Sequence, residues 1–325
     1  MMIKTAGATV FVFGVLTLGS VPVAAQWQTV RDENVPRDAS GKVRGDAPPP
    51  RTADGKPDFS GLWMHANSGP PRAGRGRQGG APAAPPPGGG RGAAPAGAPP
   101  PGGRGGIPVD MTIAPFPYDP SGPPVATFFE AGGNMEGGLP YTPWAKDIRD
   151  KRFKDLQARD NPDANCLPMG FLQFHQQPQP RRMMNVANPK MILIEYEANY
   201  GLRHIYMDGR KLPPQGEPTP FWYGYSVGHW DGDTLVVETN NLGGAEDSKY
   251  DGWLDVNGSP YSEQAKFTER FRRPTYDHLQ IDTTVDDPKA YTKPWTVRVD
   301  QRLVVDQELI EFICNENQTF RQHVK

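Results

Sequence analysis

From Arg182 to Cys314 the chain is a series of short runs rich in Val, Ile, Thr and aromatic residues, each cut off by Asp-Gly, Asn-Gly or proline. Within a run, apolar and polar residues tend to alternate, which is the period of a half-buried strand. Strands are therefore expected at Met191–Tyr196, Leu202–Met207, Tyr225–Trp230, Thr234–Thr239, Lys266–Arg272, Leu279–Val285, Thr296–Val305 and Leu309–Cys314, with two more at Trp63 and near Met183. About ten short strands with turn signals between them fit a mostly β domain, either an antiparallel barrel or a sandwich. One short helix is expected, from Pro143 to about Arg159.

Composition enters where it threatens this reading, because 37 Gly and 37 Pro in 325 residues are an excess of both. Fourteen of the glycines but only 10 of the prolines lie in one tract, Gly69 to Gly106. The tract has no aromatic, branched apolar or acidic residue, so nothing in it offsets the entropy of ordering, and it reads as disordered. Proline remains abundant outside it, marking turns. The tract's five arginines are not interleaved with aromatics, which argues for a linker over an RNA-binding arm. A net charge of -2 gives no general attraction for nucleic acid.

The first residues carry a basic start, an apolar run from Ala6 to Leu18, and small residues at Val23-Ala24-Ala25. That pattern is a secretory signal peptide over 1–25, cleaved after Ala25, and no later segment reads as a membrane span. The mature protein is expected to be periplasmic or secreted. Residues 26–56 are polar and Pro-rich and are expected to be poorly ordered. A single β domain is expected over 57–325, interrupted by the tract at 69–106. In an oxidising compartment the two cysteines, Cys166 and Cys314, are expected to form a disulfide.

Asp231-Gly232 between alternating apolar residues is a strong two-residue hairpin signal. Centred there, the turn sets Trp230 opposite Asp233 and Val227 opposite Val236. One face then carries Trp230, Leu235 and Val237; the other carries Tyr225, Val227, His229, Thr234, Val236 and Glu238.

Several strings resemble a large family of uncharacterised exported proteins of environmental bacteria. They are Tyr206-Met207-Asp208-Gly209-Arg210, the stretch from Gly224 to Thr239, Glu269-Arg270-Phe271-Arg272-Arg273, the stretch from Asp286 to Trp295, and Cys314-Asn315-Glu316-Asn317. The resemblance covers most of the chain after Pro140 and implies no particular activity. Where those proteins often carry His before a Ser-Glu pair, this chain has Tyr261. Separately, Gly61-Leu62-Trp63 is similar to the opening of lipocalin-like barrels, which implies a lipocalin- or calycin-like barrel.

For chemistry, Glu269 alternates with Phe267 and Phe271, and Glu311 with Leu309 and Ile313, so both carboxylates are candidates to point inward. Burial tunes such a group for acid–base work, or ties it to an arginine such as Arg298 or Arg302. Glu238, His204 and Tyr206 complete the candidate catalytic set. Trp222, Tyr223, Tyr225 and His229 are candidate ligand-binding residues, beside the Pro-rich loop from Pro213 to Pro220. Gly224-Tyr225-Ser226-Val227-Gly228 matches G-x-S-x-G, but its serine lies inside an expected strand with no helix after it, so the match reads as accidental. The six histidines form no short ligand pair, and no metal or cofactor is expected. The leading expectation is a small-molecule binder, for a carbohydrate or an aromatic, using its interior or mouth. The alternatives are an acid–base lyase, hydratase or hydrolase of the same fold, and an envelope-associated structural protein with the tract as a spacer.

Overall fold

A computed structural model describes residues 31–66, 115–156, 161–217, 220–246 and 252–314. The expected signal peptide and the Gly69–Gly106 tract lie outside these residues.

Among the described residues, nine strands close into one barrel. They are β1 (Gly61–Ala66), β2 (Arg181–Val186), β3 (Met191–Tyr196), β4 (Gly201–Tyr206), β5 (Tyr225–Asp231), β6 (Thr234–Asn240), β7 (Lys266–Thr275), β8 (His278–Asp286) and β9 (Trp295–Val304). The barrel alternative thus holds over the sandwich. Around a closed ring, strand direction can reverse at every step only if the strand number is even. With nine strands, one neighbouring pair must run parallel. That pair is β4 and β5, joined through residues 207–224; every other pair, including β9 with β1, is antiparallel. The parallel seam is also the shortest pairing, with only Ile205 opposite Ser226 and Tyr206 opposite Val227.

The expected tenth strand at Leu309–Cys314 is not one. β9 is already paired on both sides, by β8 and β1, so the closed barrel offers no edge to extend. Residues 305–314 instead run irregularly along the outside, with Cys314 bonded to Cys166.

The hairpin between β5 and β6 is present, but its turn is Gly232-Asp233 and Trp230 faces Leu235. Gly232 has φ +60°, and the two-residue turn has glycine at its first position. The slide moves each residue's partner by two positions, which leaves every side chain on its expected face. Trp230, Leu235 and Val237 point inward, while His229 and Glu238 are exposed.

The interior is packed by side chains from every side of the ring. Trp63, Met183, Ile194, Ile205, Leu235, Val237, Phe267, Phe271, Leu279, Ile281, Val297 and Val299 are all buried. At the end where β4 and β5 begin, the segment around α2 (Gln173–Gln176) adds Phe171 and Phe174. Phe171 stacks on Phe267 at 3.9 Å, and Phe174 packs edge-on against Phe171 at 4.9 Å. Arg181, wholly buried, holds this segment by donating to the carbonyls of His175, Gln177 and Gln179. Gly170 permits the docking: a Cβ there would fall 1.6 Å from the Trp253 carbonyl oxygen.

The expected helix starts at Pro143, as α1 (Pro143–Lys151), with Thr142 accepting from the Ala145 amide and Pro143 in the first turn. Its α-helical part runs to Lys151 and continues as a π turn over Arg152–Leu156, and the rest of the expected helix lies outside the described residues. Residues 31–56, expected to be poorly ordered, carry turns tied to the barrel. Arg37 pairs with Asp306, Arg51 grips both carboxylate oxygens of Asp233, and Tyr276 donates its amide to Ala47. Arginines paired with carboxylates of the β5–β6 turn and the tail after β9, together with backbone hydrogen bonds, hold this segment against the barrel. Among the described residues no helix is long and apolar enough to cross a membrane.

Candidate functional site

A parallel pair that shares only two residue pairs leaves the start of β4 paired to β3 alone, with no strand on its β5 side. A cleft of about 470 Å³ opens there, on the outside of the barrel mouth. Its floor is Gly201 and Ser226, and Pro168 and Leu202 border it. Its walls are His204 and Tyr206 from β4, with Phe221, Trp222, Tyr223 and Tyr225 from the approach to β5. Five of the residues singled out in the sequence therefore meet here: His204, Tyr206, Trp222, Tyr223 and Tyr225. Side chains two apart on β4 share its outer face, which puts His204 and Tyr206 side by side.

The rings form a row. His204 and Tyr206 lie 6.3 Å apart with planes 16° from parallel, Tyr206 and Tyr225 lie 5.2 Å apart at 30°, and Phe221 lies 6.4 Å from Tyr225 at 50°. Arg210 lies 3.8 Å above the Tyr206 ring and donates to the Tyr225 hydroxyl at 3.0 Å. Asp208 accepts from the same guanidinium through both carboxylate oxygens, which fixes it in place. Those hydrogen bonds, with Asp208 first, raise the Arg210 pKa. Tyr223 turns inward, stacking on Tyr196 at 5.4 Å with planes 9° apart. Burial raises the pKa of both phenols, that of Tyr196 to about 12, so both stay neutral near pH 7. The aromatic wall is continuous with the aromatic core through Phe174, which lies 5.7 Å from Tyr223.

Below the floor is a buried polar layer. Ser226 Oγ lies 2.8 Å from Thr239 Oγ1 and accepts from Arg203. Arg203 also donates to both oxygens of Glu269, and His175 Nε2 lies 2.7 Å from Glu269 Oε1. Burial alone would raise the Glu269 pKa, but Arg203 and His175 outweigh it and hold it at about 2. Burial lowers His175 to about 4 against the pull of Glu269, so the imidazole is neutral near pH 7. The serine of the G-x-S-x-G match is thus a strand residue whose hydroxyl is engaged by Arg203 and Thr239.

The acid–base candidates do not converge. Glu269 is inward, as expected, but its partner is Arg203, not Arg298 or Arg302, which pair with Asp282 and Asp277. Glu238 and His229 are exposed on the outer face of the β5–β6 hairpin. Glu311 does not point inward, because its segment is not a strand; it is exposed in the tail. Only His204 and Tyr206 of that set reach the cleft. Among the described residues no group of three or more His, Cys, Asp or Glu is placed to hold a metal ion.

No family model, curated protein or solved structure matches the chain. The fold and the cleft therefore stand on this chain's own geometry.

Sequence reasoning missed Arg203, Arg210 and Gly201. Arg203 was legible in principle, because two positions along β4 it shares a face with Ile205. Arg210 had a local signal too, since Asp208-Gly209-Arg210 is a turn that brings its ends together. Gly201 had none: its role depends on Tyr223, which arrives through tertiary structure. The Cys166–Cys314 pairing was legible and is present.

Proposed function

We propose that this protein binds a small molecule in the aromatic cleft at the β4–β5 seam. The observation that carries the reading is the cleft itself, with six aromatic or imidazole side chains on its wall and a size in the range of small-molecule sites, roughly 300–1,000 Å³. The packed interior directs the ligand to the mouth instead of the barrel lumen. Three of the wall residues, Tyr206, Tyr225 and Phe221, are held in a row by their own contacts and by Arg210, so little ordering is needed on binding.

Export supports the setting of this function. The Met1–Ala25 leader pattern and a disulfide that persists in oxidising compartments point to a periplasmic or secreted protein. Amino-terminal sequencing of the mature protein is expected to begin at Gln26.

Ligand-observed NMR on the full chain, run against a panel of small aromatics and oligosaccharides, tests the site. Binding that weakens in Tyr206→Ala and Trp222→Ala, with the fold kept by circular dichroism, is the expected result. A panel with no binder, or a binder indifferent to both substitutions, would remove the cleft from consideration.

A further inference from the structure

We infer that the ligand of this cleft is a flat aromatic of the one- or two-ring phenolic class and not a carbohydrate. The inference rests on reading the cleft as a small-molecule site. A sugar presents hydroxyls around its whole rim, and sites that hold one supply planar, bidentate groups to pair them. Among the described residues lining this cleft there is no carboxylate, carboxamide or ammonium side chain, and the one guanidinium against its wall, Arg210, is taken up by Asp208 and the Tyr225 hydroxyl.

The hydroxyls that do line it are largely committed. Ser226 is engaged by Arg203 and Thr239, and the Tyr225 hydroxyl accepts from Arg210. The Tyr223 hydroxyl is packed over Gly201, where a Cβ would fall 1.8 Å from it. Tyr206 and His204 add one hydroxyl and one imidazole to the wall. That inventory suits a ligand with one or two polar substituents. The row from His204 through Tyr206 and Tyr225, with Arg210 on one face of Tyr206, gives a planar molecule an aromatic wall to pack against, edge-on or face-on, without needing rim partners.

Arg210 is a positioning residue in this scheme. It lies on the Tyr206 ring while bonded to the Tyr225 hydroxyl, which sets the angle between the two rings. Its charge is matched by Asp208, so it stiffens the row without selecting for an anion.

The full-length protein should be titrated with p-coumarate, vanillin and 2-naphthol in one arm and with cellotriose and xylotriose in the other, by calorimetry and ligand-observed NMR. Phenolic binding is expected, with ring-proton shifts upfield from stacking, weakened about tenfold in Tyr206→Leu and in Tyr225→Leu. Tyr206→Phe, which keeps the ring, should retain the upfield shifts, which a loss of fold would not. Oligosaccharide binding that is lost in the same leucine variants would overturn the phenolic class while leaving the cleft as the site. Binding of neither class, or phenolic binding unchanged in both leucine variants, would overturn the inference together with the reading beneath it.

Discussion

Arg203 on β4 and Glu269 on β7 meet inside the barrel, with Arg203 Nη1 3.0 Å from Glu269 Oε1, Nη2 on the second oxygen, and neither side chain exposed. Ser226, Thr239 and His175 take the remaining hydrogen bonds of the pair. A buried pair of this kind is weak evidence of net stabilisation, but breaking it leaves an uncompensated charge. Glu269→Gln is therefore expected to cost about 3–5 kcal/mol in urea unfolding, and the double change Arg203→Met with Glu269→Leu distinctly less. A single variant as stable as the parent would show that the pair is hydrated.

Stability should respond to pH through several buried groups, in different directions. The Glu269 carboxyl is held at about 2 against an ordinary 4.5, so the stability from its ionisation is complete above 4.5 and lost as pH falls towards 2. Burial lowers His65 to about 4 from 6.5, so its neutral form stabilises above 6.5 and that contribution is lost as pH falls towards 4. Glu197 runs the other way. Burial raises it from 4.5 to about 7, against the hydrogen bond from the Ile310 amide, so folding is disfavoured as pH rises between those values. Glu197→Gln should be the more stable protein at pH 8 and show no advantage at pH 4, as melting curves at the two pH values would reveal. An advantage of equal size at both would mean that the titration of Glu197 is not the cause.

The disulfide joins residues separated by 148 positions and ties the tail after β9 to the loop beside the cleft. Closing so long a loop is worth about 4–5 kcal/mol in the chain-entropy model, as an upper figure. The Cys166→Ser, Cys314→Ser double variant is expected to unfold at lower denaturant, by up to that amount. Thiol titration of the unfolded, unreduced parent should find no free thiol, and two would refute the bridge.

Glycine at 201 is a steric requirement of the cleft. Gly201→Ala places a methyl 1.8 Å from the Tyr223 hydroxyl and 2.4 Å from its ring, in contact with a buried side chain that is stacked on Tyr196. Loss of ligand binding together with a lowered melting temperature is expected. Gly232→Ala is the contrast: its Cβ meets nothing within 4 Å, and its φ of +60° costs only roughly 1–2 kcal/mol. If Gly201→Ala is the milder change, Tyr223 does not sit over the glycine.

Most of the strands were legible from Trp63 and Arg182 onward because alternation is a local property. A residue's neighbours two positions away tell which face it shares. For that reason Glu269 between two phenylalanines could be read as inward, and the hairpin faces survived a turn misplaced by one residue. The aromatic cluster around Tyr225 was legible, and four more residues of the cleft, His204, Tyr206, Trp222 and Tyr223, were named from the sequence alone. What could not be read was partnership. Arg203, not Arg298 or Arg302, faces Glu269, because which strands stand opposite one another across the lumen depends on the whole ring.

The sequence by itself determined nine of the ten expected strands, which of their residues share a face, and the only disulfide that two cysteines allow. Tertiary structure decided the closure of nine strands, and from closure followed the rest. An odd ring requires one parallel step, the parallel step is short, and the gap it leaves between β4 and β5 is the cleft. The same closure leaves no edge for Leu309–Cys314, so Glu311 stays at the surface. Alternation is set by each residue's own pleat, whereas strand number and closure belong to the ring as a whole, and no local pattern encodes them.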